Sequence, residues 1–293
     1  MRFNSVYKAS ALALALATVS STAWGANTQL PPTSSDTFAA WQSTQKYQLP
    51  GSGGPQFFGN FARINGTVQY DSTTGSYIIR DTGNPASTIN FGTANISSSN
   101  STFVTYTKTN GGTTDTLRLL NNAPGNPLIQ LTYTGYGEWK ETTPGAGFNG
   151  NTTVSDTYFV YGIKTTAVNM PHSGSASYNT VIDGTFVNGN GVYGLSGTGN
   201  ITANFGSGTL AFSASPIASG SGPALSFGSA LTGSGTIAFN SSSFRASGGN
   251  GTYSMDMNGY FYGPTANEVG ADFRMSGGSG ATRGSGSGVI VGH

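Results

Sequence analysis

From residue 168 to residue 293 apolar side chains recur at every second position, in short runs broken by glycine-rich turns. This rhythm constrains the fold more than any other feature of the chain. Ile201, Ala203 and Phe205 share one face, as do Leu210 and Phe212, Ile237 and Phe239, and Val289 and Val291, with Thr, Asn, Ser and Gly between them. A two-residue period belongs to strands whose two faces meet different surroundings. The runs are SASYNTVIDGTFV, VYGLSGTGNITANF, GTLAFSAS, ALSFG, SGTIAFNSSSFRAS, GTYSMDMNGYFYG, EVGADFRMSG and SGVIVGH, with Asn188-Gly189-Asn190-Gly191 as a tight hairpin loop. About eight such strands joined by short turns predict a small closed antiparallel barrel, because closure removes the edges through which strands aggregate. Composition agrees with an all-β chain. The 45 glycines, with abundant Ser, Thr and Asn, disfavour long helices. The 12% aromatic content supplies the core that a disordered Gly/Ser-rich chain would lack.

Within this region, residues 258–273 (NGYFYGPTANEVGADF) read as the end of one strand, a sharp corner and the start of the next. Tyr260 and Tyr262 alternate with Gly259 and Phe261, and Gly263–Pro264 ends the run: glycine takes backbone angles closed to other residues, and proline has no N–H for a ladder. Pro264 also suits the first position of a helical turn, with Asn267 and Glu268 following in a polar loop. Gly259, Phe261, Tyr262, Gly263, Pro264, Ala266, Glu268, Val269, Gly270 and Phe273 together resemble the signature of the β-barrel lobe of transferrin-binding protein B and its relatives, Gram-negative surface lipoproteins and secreted haem scavengers. Ala271 stands where the second glycine of that signature is usual. The segment MPHSGSASY is similar to the start of the family's barrel, so the resemblance covers roughly residues 170–293. It implies a C-terminal eight-stranded antiparallel β-barrel with a smaller N-terminal β-rich handle domain. It also implies a role in capturing an iron source, either haem or a host iron- or haem-carrier protein, for transfer to an outer-membrane receptor.

The N-terminal part divides further. Residues 1–25 read as a secretory signal: Arg2 and Lys8 precede an apolar run, and Ala23-Trp24-Gly25 offers small residues at a cleavage site. Without Arg2 and Lys8, ten basic residues face eleven acidic ones, so nothing predicts nucleic-acid binding. The sequence contains no cysteine, so there are no disulfide staples and no residue to carry the family's lipid anchor. The expectation is a protein released outside the cell, held at its surface, or kept in the periplasm. Residues 26–55 read as a leader and linker, with one helical turn from Asp36 capped by Ser35 or Asp36. Residues 56–167 form the handle, with candidate strands at 62–70, 76–80, 102–108, 116–120, 128–139 and 157–163 and looser loops at 81–101 and 121–126. Residues 168–293 form the barrel.

Catalysis finds no support. Two histidines, no cysteine and scattered carboxylates make no metal-ligand spacing and no nucleophile–base pair. Glu138 and Glu141 would face opposite sides of a strand. His172, after Met170–Pro171 at the mouth of the first barrel strand, has two readings: a solvated loop histidine, or an axial haem ligand with Met170 lining an apolar slot. His293 reads as a frayed surface residue. Tyr260, Phe261 and Tyr262 are either recognition aromatics for a partner or the plug of a barrel end. The competing functional classes are an exported structural or adhesive barrel with no small ligand, and an integral outer-membrane barrel, whose lipid-facing band would carry larger apolar side chains than these strands do.

Overall fold

The structure, a computed structural model, describes residues 27–50, 57–81, 88–220 and 222–293. The expected signal at 1–25 lies outside the described residues. Among those described, seventeen strands form two sheets and there is no α-helix. The first sheet comprises β1 (Asp36–Leu49), β2 (Phe57–Asp71), β3 (Ser76–Asp81), β4 (Thr88–Phe91), β5 (Ile96–Ser99), β6 (Phe103–Asn110), β7 (Thr113–Leu120), β8 (Thr134–Thr143) and β9 (Thr152–Gly162). Its spatial order is β4-β3-β2-β1-β9-β8-β7-β6-β5, so the first strand of the chain sits at the centre, paired with both β2 and β9. Phe91 of β4 and Tyr77 of β3 each lie 6.2 Å, centroid to centroid, from the Tyr106 ring of β6. Strands from opposite flanks can meet in this way only if the sheet curls, which encloses Phe38, Val68, Ile79, Leu117 and Phe159 in its own core.

The second sheet is a closed antiparallel barrel of β10 (Ser175–Asn188), β11 (Gly191–Asn204), β12 (Thr209–Gly220), β13 (Leu231–Ile237), β14 (Ser243–Gly249), β15 (Tyr253–Tyr262), β16 (Glu268–Gly277) and β17 (Gly284–Gly292), with β17 pairing back onto β10. Its interior is filled by side chains, among them Ile182, Phe186, Phe212, Met257, Phe273 and Ile290. The outer positions of β11 are Gly194, Ser196, Thr198, Asn200, Thr202 and Asn204, facing water or nearly so. An apolar inside and a polar outside are the reverse of a lipid-embedded barrel.

The curled sheet packs its convex face on the outside of β10, β16 and β17. Tyr136, Tyr158 and Val160 meet Val289 and Val291 of β17 there, and Tyr262 at the end of β15. β17 is therefore buried on both faces, and Val289 and Val291 lie outside the barrel while Ile290 fills it.

Several expectations change at this level. Residues 36–49 are a strand and not a leader with a helical turn: Phe38 and Ala40 enter the sheet core, while Ser43 and Gln45 are buried against the barrel. Ser43 donates to the Phe273 carbonyl (3.1 Å) and Gln45 to that of Ser285 (2.9 Å), so polar residues occupy interior positions where a pattern of hydrophobic residues cannot show them. Residues 128–133 are irregular. The loop expected at 81–101 contains two short strands, β4 and β5. The run 224–228 is a loop whose Phe227 plugs one barrel end against Phe186 and Tyr253. The run 234–247 is a hairpin instead of one strand, turning at Asn240 (φ 51°). Eight strands stand, divided differently.

Candidate binding site at the barrel end

Three loops converge at the end of the barrel where β10 begins. They are residues 163–174, leading in from the curled sheet, the β11–β12 turn and the β13–β14 turn. Each is tied down by backbone hydrogen bonds, Met170 N to Thr166 O (3.1 Å), Phe205 N to Gly174 O (3.0 Å) and Ala238 N to Ser243 O (2.8 Å). Between them lies a cavity of about 450 Å3 walled by Met170, Pro171, His172, Phe205, Ile237 and Phe239. The structure thus brings His172 and Met170 to one site. Met170 is buried against the barrel core, whereas His172 is exposed at the mouth. Phe239, expected on the same face as Ile237, has passed the strand end and stands 92% exposed on the rim.

The neighbouring corner closes the rest of this end. Gly263 takes φ +85°, a left-handed angle costly for a residue with a Cβ, and a Cβ there would meet the Tyr133 ring at 2.7 Å. Thr165 Oγ1 donates to the Gly263 carbonyl (2.7 Å) and accepts from Ala266 N (3.2 Å). Tyr178 OH donates to the Ala266 carbonyl (2.6 Å). The Glu268 side chain, at the start of β16, accepts three consecutive backbone N–H groups, of Thr132 (2.7 Å), Tyr133 (3.0 Å) and Thr134 (2.8 Å).

Of the two readings of Tyr260, Phe261 and Tyr262, recognition of a partner is closed to two of them, and Phe261 fills the barrel end instead. Phe261 faces the barrel interior against Tyr178, Phe205 and Phe244, and Tyr262 is sealed between barrel and sheet. Strand alternation at a barrel wall that is itself covered leaves neither side wet. Tyr260 remains partly exposed, stacked on Trp41 at 6.2 Å, with Lys164 Nζ 3.3 Å from its ring centre. Burial pulls the Lys164 ammonium down to about 8. The His293 side chain is exposed, but its backbone exchanges hydrogen bonds with Asn179 and is not frayed.

A charged joint between sheet and barrel escapes sequence reading. Arg118 pairs with Glu138 (2.8 Å) and donates two bonds to Asp183 (2.8 and 3.0 Å). Arg63 pairs with Asp272 (2.7 Å) and Asp256 (2.6 Å). Its members are far apart in the chain, and nothing local marks them. Glu138 is thereby an ion-pair partner, and Glu141 does not join it. Among the described residues no three His, Cys, Asp or Glu side chains gather as metal ligands.

No family model matches the chain and no curated protein matches it. Solved structures similar in arrangement include intact Ap-TbpB with its N and C lobes, at 12% identity and TM-score 0.43 over 91% of this chain and 78% of that one. A transferrin-binding protein B variant from Haemophilus parasuis Hp5 gives 13% and 0.42 over 91% and 77%, and a surface lipoprotein gives 13% and 0.39 over 86% and 98%. The structural neighbours are thus lobed β-barrel proteins of this type at low identity, and TM-scores near 0.4 assign neither family nor ligand.

Proposed function

We propose that this is an exported or surface-associated binding protein that captures an iron source at the end of its barrel, haem itself or haem offered by a host carrier protein. It passes that cargo on, to an outer-membrane receptor, without performing chemistry on it. The observation that carries the reading is the cavity shared by His172, Met170, Phe205 and Phe239. A flat apolar cofactor needs greasy walls and one nitrogen or sulfur donor at iron, and the cavity falls in the volume range of small-molecule sites. The barrel interior is already filled with side chains, which leaves an end or an outer face for a ligand. Titrating haem into the mature protein tests it. The expected result is a saturable Soret shift that His172→Ala abolishes or weakens about tenfold or more. Absence of a shift in the parent protein, or an unchanged shift in the variant, overturns it.

The exposed Phe239 favours a second reading, in which the rim docks a protein and no small ligand is held, as in an adhesive or structural protein. In that case Phe239→Ser abolishes capture of the partner protein and haem produces no shift.

A further inference from the structure

A second cavity, of about 620 Å3, lies on the outer face of β13–β16 beside β1 and β2 of the curled sheet, and meets the barrel-end cavity only at Thr236 of β13. Its walls include Trp41 of β1, Arg63 of β2, Arg245 of β14, Asp256 and Asn258 of β15 and Arg274 of β16. The three arginines are not equivalent. Arg63 is occupied by two aspartates. Neither Arg245 nor Arg274 forms an ion pair or a side-chain hydrogen bond among the described residues, and the Arg274 Nε is shielded from solvent with no acceptor. Shielded donors without acceptors are rare enough to require a cause. Beside these cations stands one flat apolar surface, the half-buried Trp41 ring, braced from behind by Tyr260. The Asn258 amide and the hydroxyls of serines and a threonine on β13 and β14 add polar lining, and Gly235, Ala246 and Met257 complete it.

We propose that this groove binds a carboxylate-bearing sugar. The carboxylate accepts from Arg245 and Arg274, whose forked guanidinium groups match its two oxygens. One face of the pyranose ring, with its C–H bonds, lies on the indole of Trp41, and its hydroxyls exchange hydrogen bonds with Asn258 and the neighbouring side-chain hydroxyls. Asp256, whose side chain is half exposed at the groove wall, accepts from a sugar hydroxyl and repels a multiply charged anion. That carboxylate is what separates a singly charged sugar acid from phosphate. The barrel-end site shares none of these residues except a wall position of β13, so the two readings stand or fall separately.

The test uses the mature protein with 3′-sialyllactose and a glucuronate-terminated disaccharide as probes, and with lactose and inorganic phosphate as controls. Tryptophan fluorescence and calorimetry provide the readout. At least one acidic probe should bind saturably, with lactose silent and phosphate failing to compete at equal concentration. Arg245→Ala, an exposed change that leaves the fold intact, should weaken binding about tenfold or more, and Arg274→Ala similarly. The Arg245→Ala protein should still titrate with haem as the parent does. Failure of both acidic probes, equal response to lactose, competition by phosphate, or an Arg245→Ala variant that binds like the parent overturns the proposal.

Discussion

The Glu268 carboxylate joins the barrel corner to a stretch of chain more than a hundred residues earlier. It is buried, and two of the three N–H groups it accepts, those of Thr132 and Tyr133, lie before β8 and outside any strand ladder. A carboxylate accepting backbone N–H bonds in a dry site is costly to remove, since the donors are left unsatisfied. Glu268→Ala should lower stability by about 3 kcal/mol in urea unfolding. Glu268→Gln should recover only part of this, because one of its two terminal groups presents hydrogens to a donor. A full rescue by Gln would mean that shape, not acceptance, matters there. Gly263→Ala should cost about 1–2 kcal/mol, from the left-handed angle and the Tyr133 ring beneath it. Both residues stand in the corner motif and were legible as a bend. That Glu268 reaches across to the other sheet was not, since the motif does not say what the bend holds.

At the level of elements, the strands that proved readable are those with one wet face, such as β11 and β12, where Ile201, Ala203, Leu210 and Phe212 alternate with small polar residues. β1 was unreadable because both of its faces are covered and its second half satisfies Gln, Ser and Thr internally: Thr44 Oγ1 meets Thr157 Oγ1 at 2.8 Å, for example. The site divides in the same way. His172 and Met170 are close in sequence and were found together, whereas Trp41, Arg63, Arg245 and Arg274 come from four strands that only the topology assembles. The joint between the two sheets also titrates. Asp156 is pushed up to about 8 by burial and then by Glu138, against the pull of Lys140 and Thr185. Burial raises Asp272 to about 6 although Arg63 opposes it. Burial also works to raise Glu138, but Arg118 and Lys140 outweigh it and hold that group at about 2. A carboxyl raised in the folded state contributes stability below its unfolded value, near about 4, and loses it as pH rises through the folded one; a depressed carboxyl does the opposite. Thermal stability should therefore peak near about pH 4–5, fall toward pH 2 as Glu138 protonates, and decline from pH 5 to 9 as Asp272 and then Asp156 ionise. Asp156→Asn keeps an acceptor for the Thr185 hydroxyl (2.9 Å) and should flatten the alkaline limb, so that its advantage over the parent grows between pH 5 and 9. Melting curves across that range check this, and parallel profiles for the two proteins would refute the titration of Asp156.

For the molecule as a whole, closure of the barrel does not make it self-sufficient. Closing eight strands removes the edges, yet the outer face of β17 and the end of β15 carry Val289, Val291 and Tyr262, none of which touches water in the intact protein. Beside them stand Asp183 and Asp272, whose arginine partners belong to the curled sheet. The two sheets therefore behave as one folding unit joined along a fixed, part-apolar and part-charged seam, which leaves the barrel end and the outer groove open at its borders. A chain of residues 168–293 alone should uncover the apolar strip and strand the two carboxylates without their counter-ions. It should bind an apolar fluorescent dye and self-associate in size-exclusion chromatography, because exposed contiguous apolar surface seeks a partner. Val289→Ser with Val291→Ser should reduce both effects in the isolated barrel, while in the full chain each single change should cost about 2 kcal/mol through lost burial. An isolated barrel that is monomeric and silent to the dye would mean that the seam is a sliding contact, and the groove beside it would then have no fixed wall.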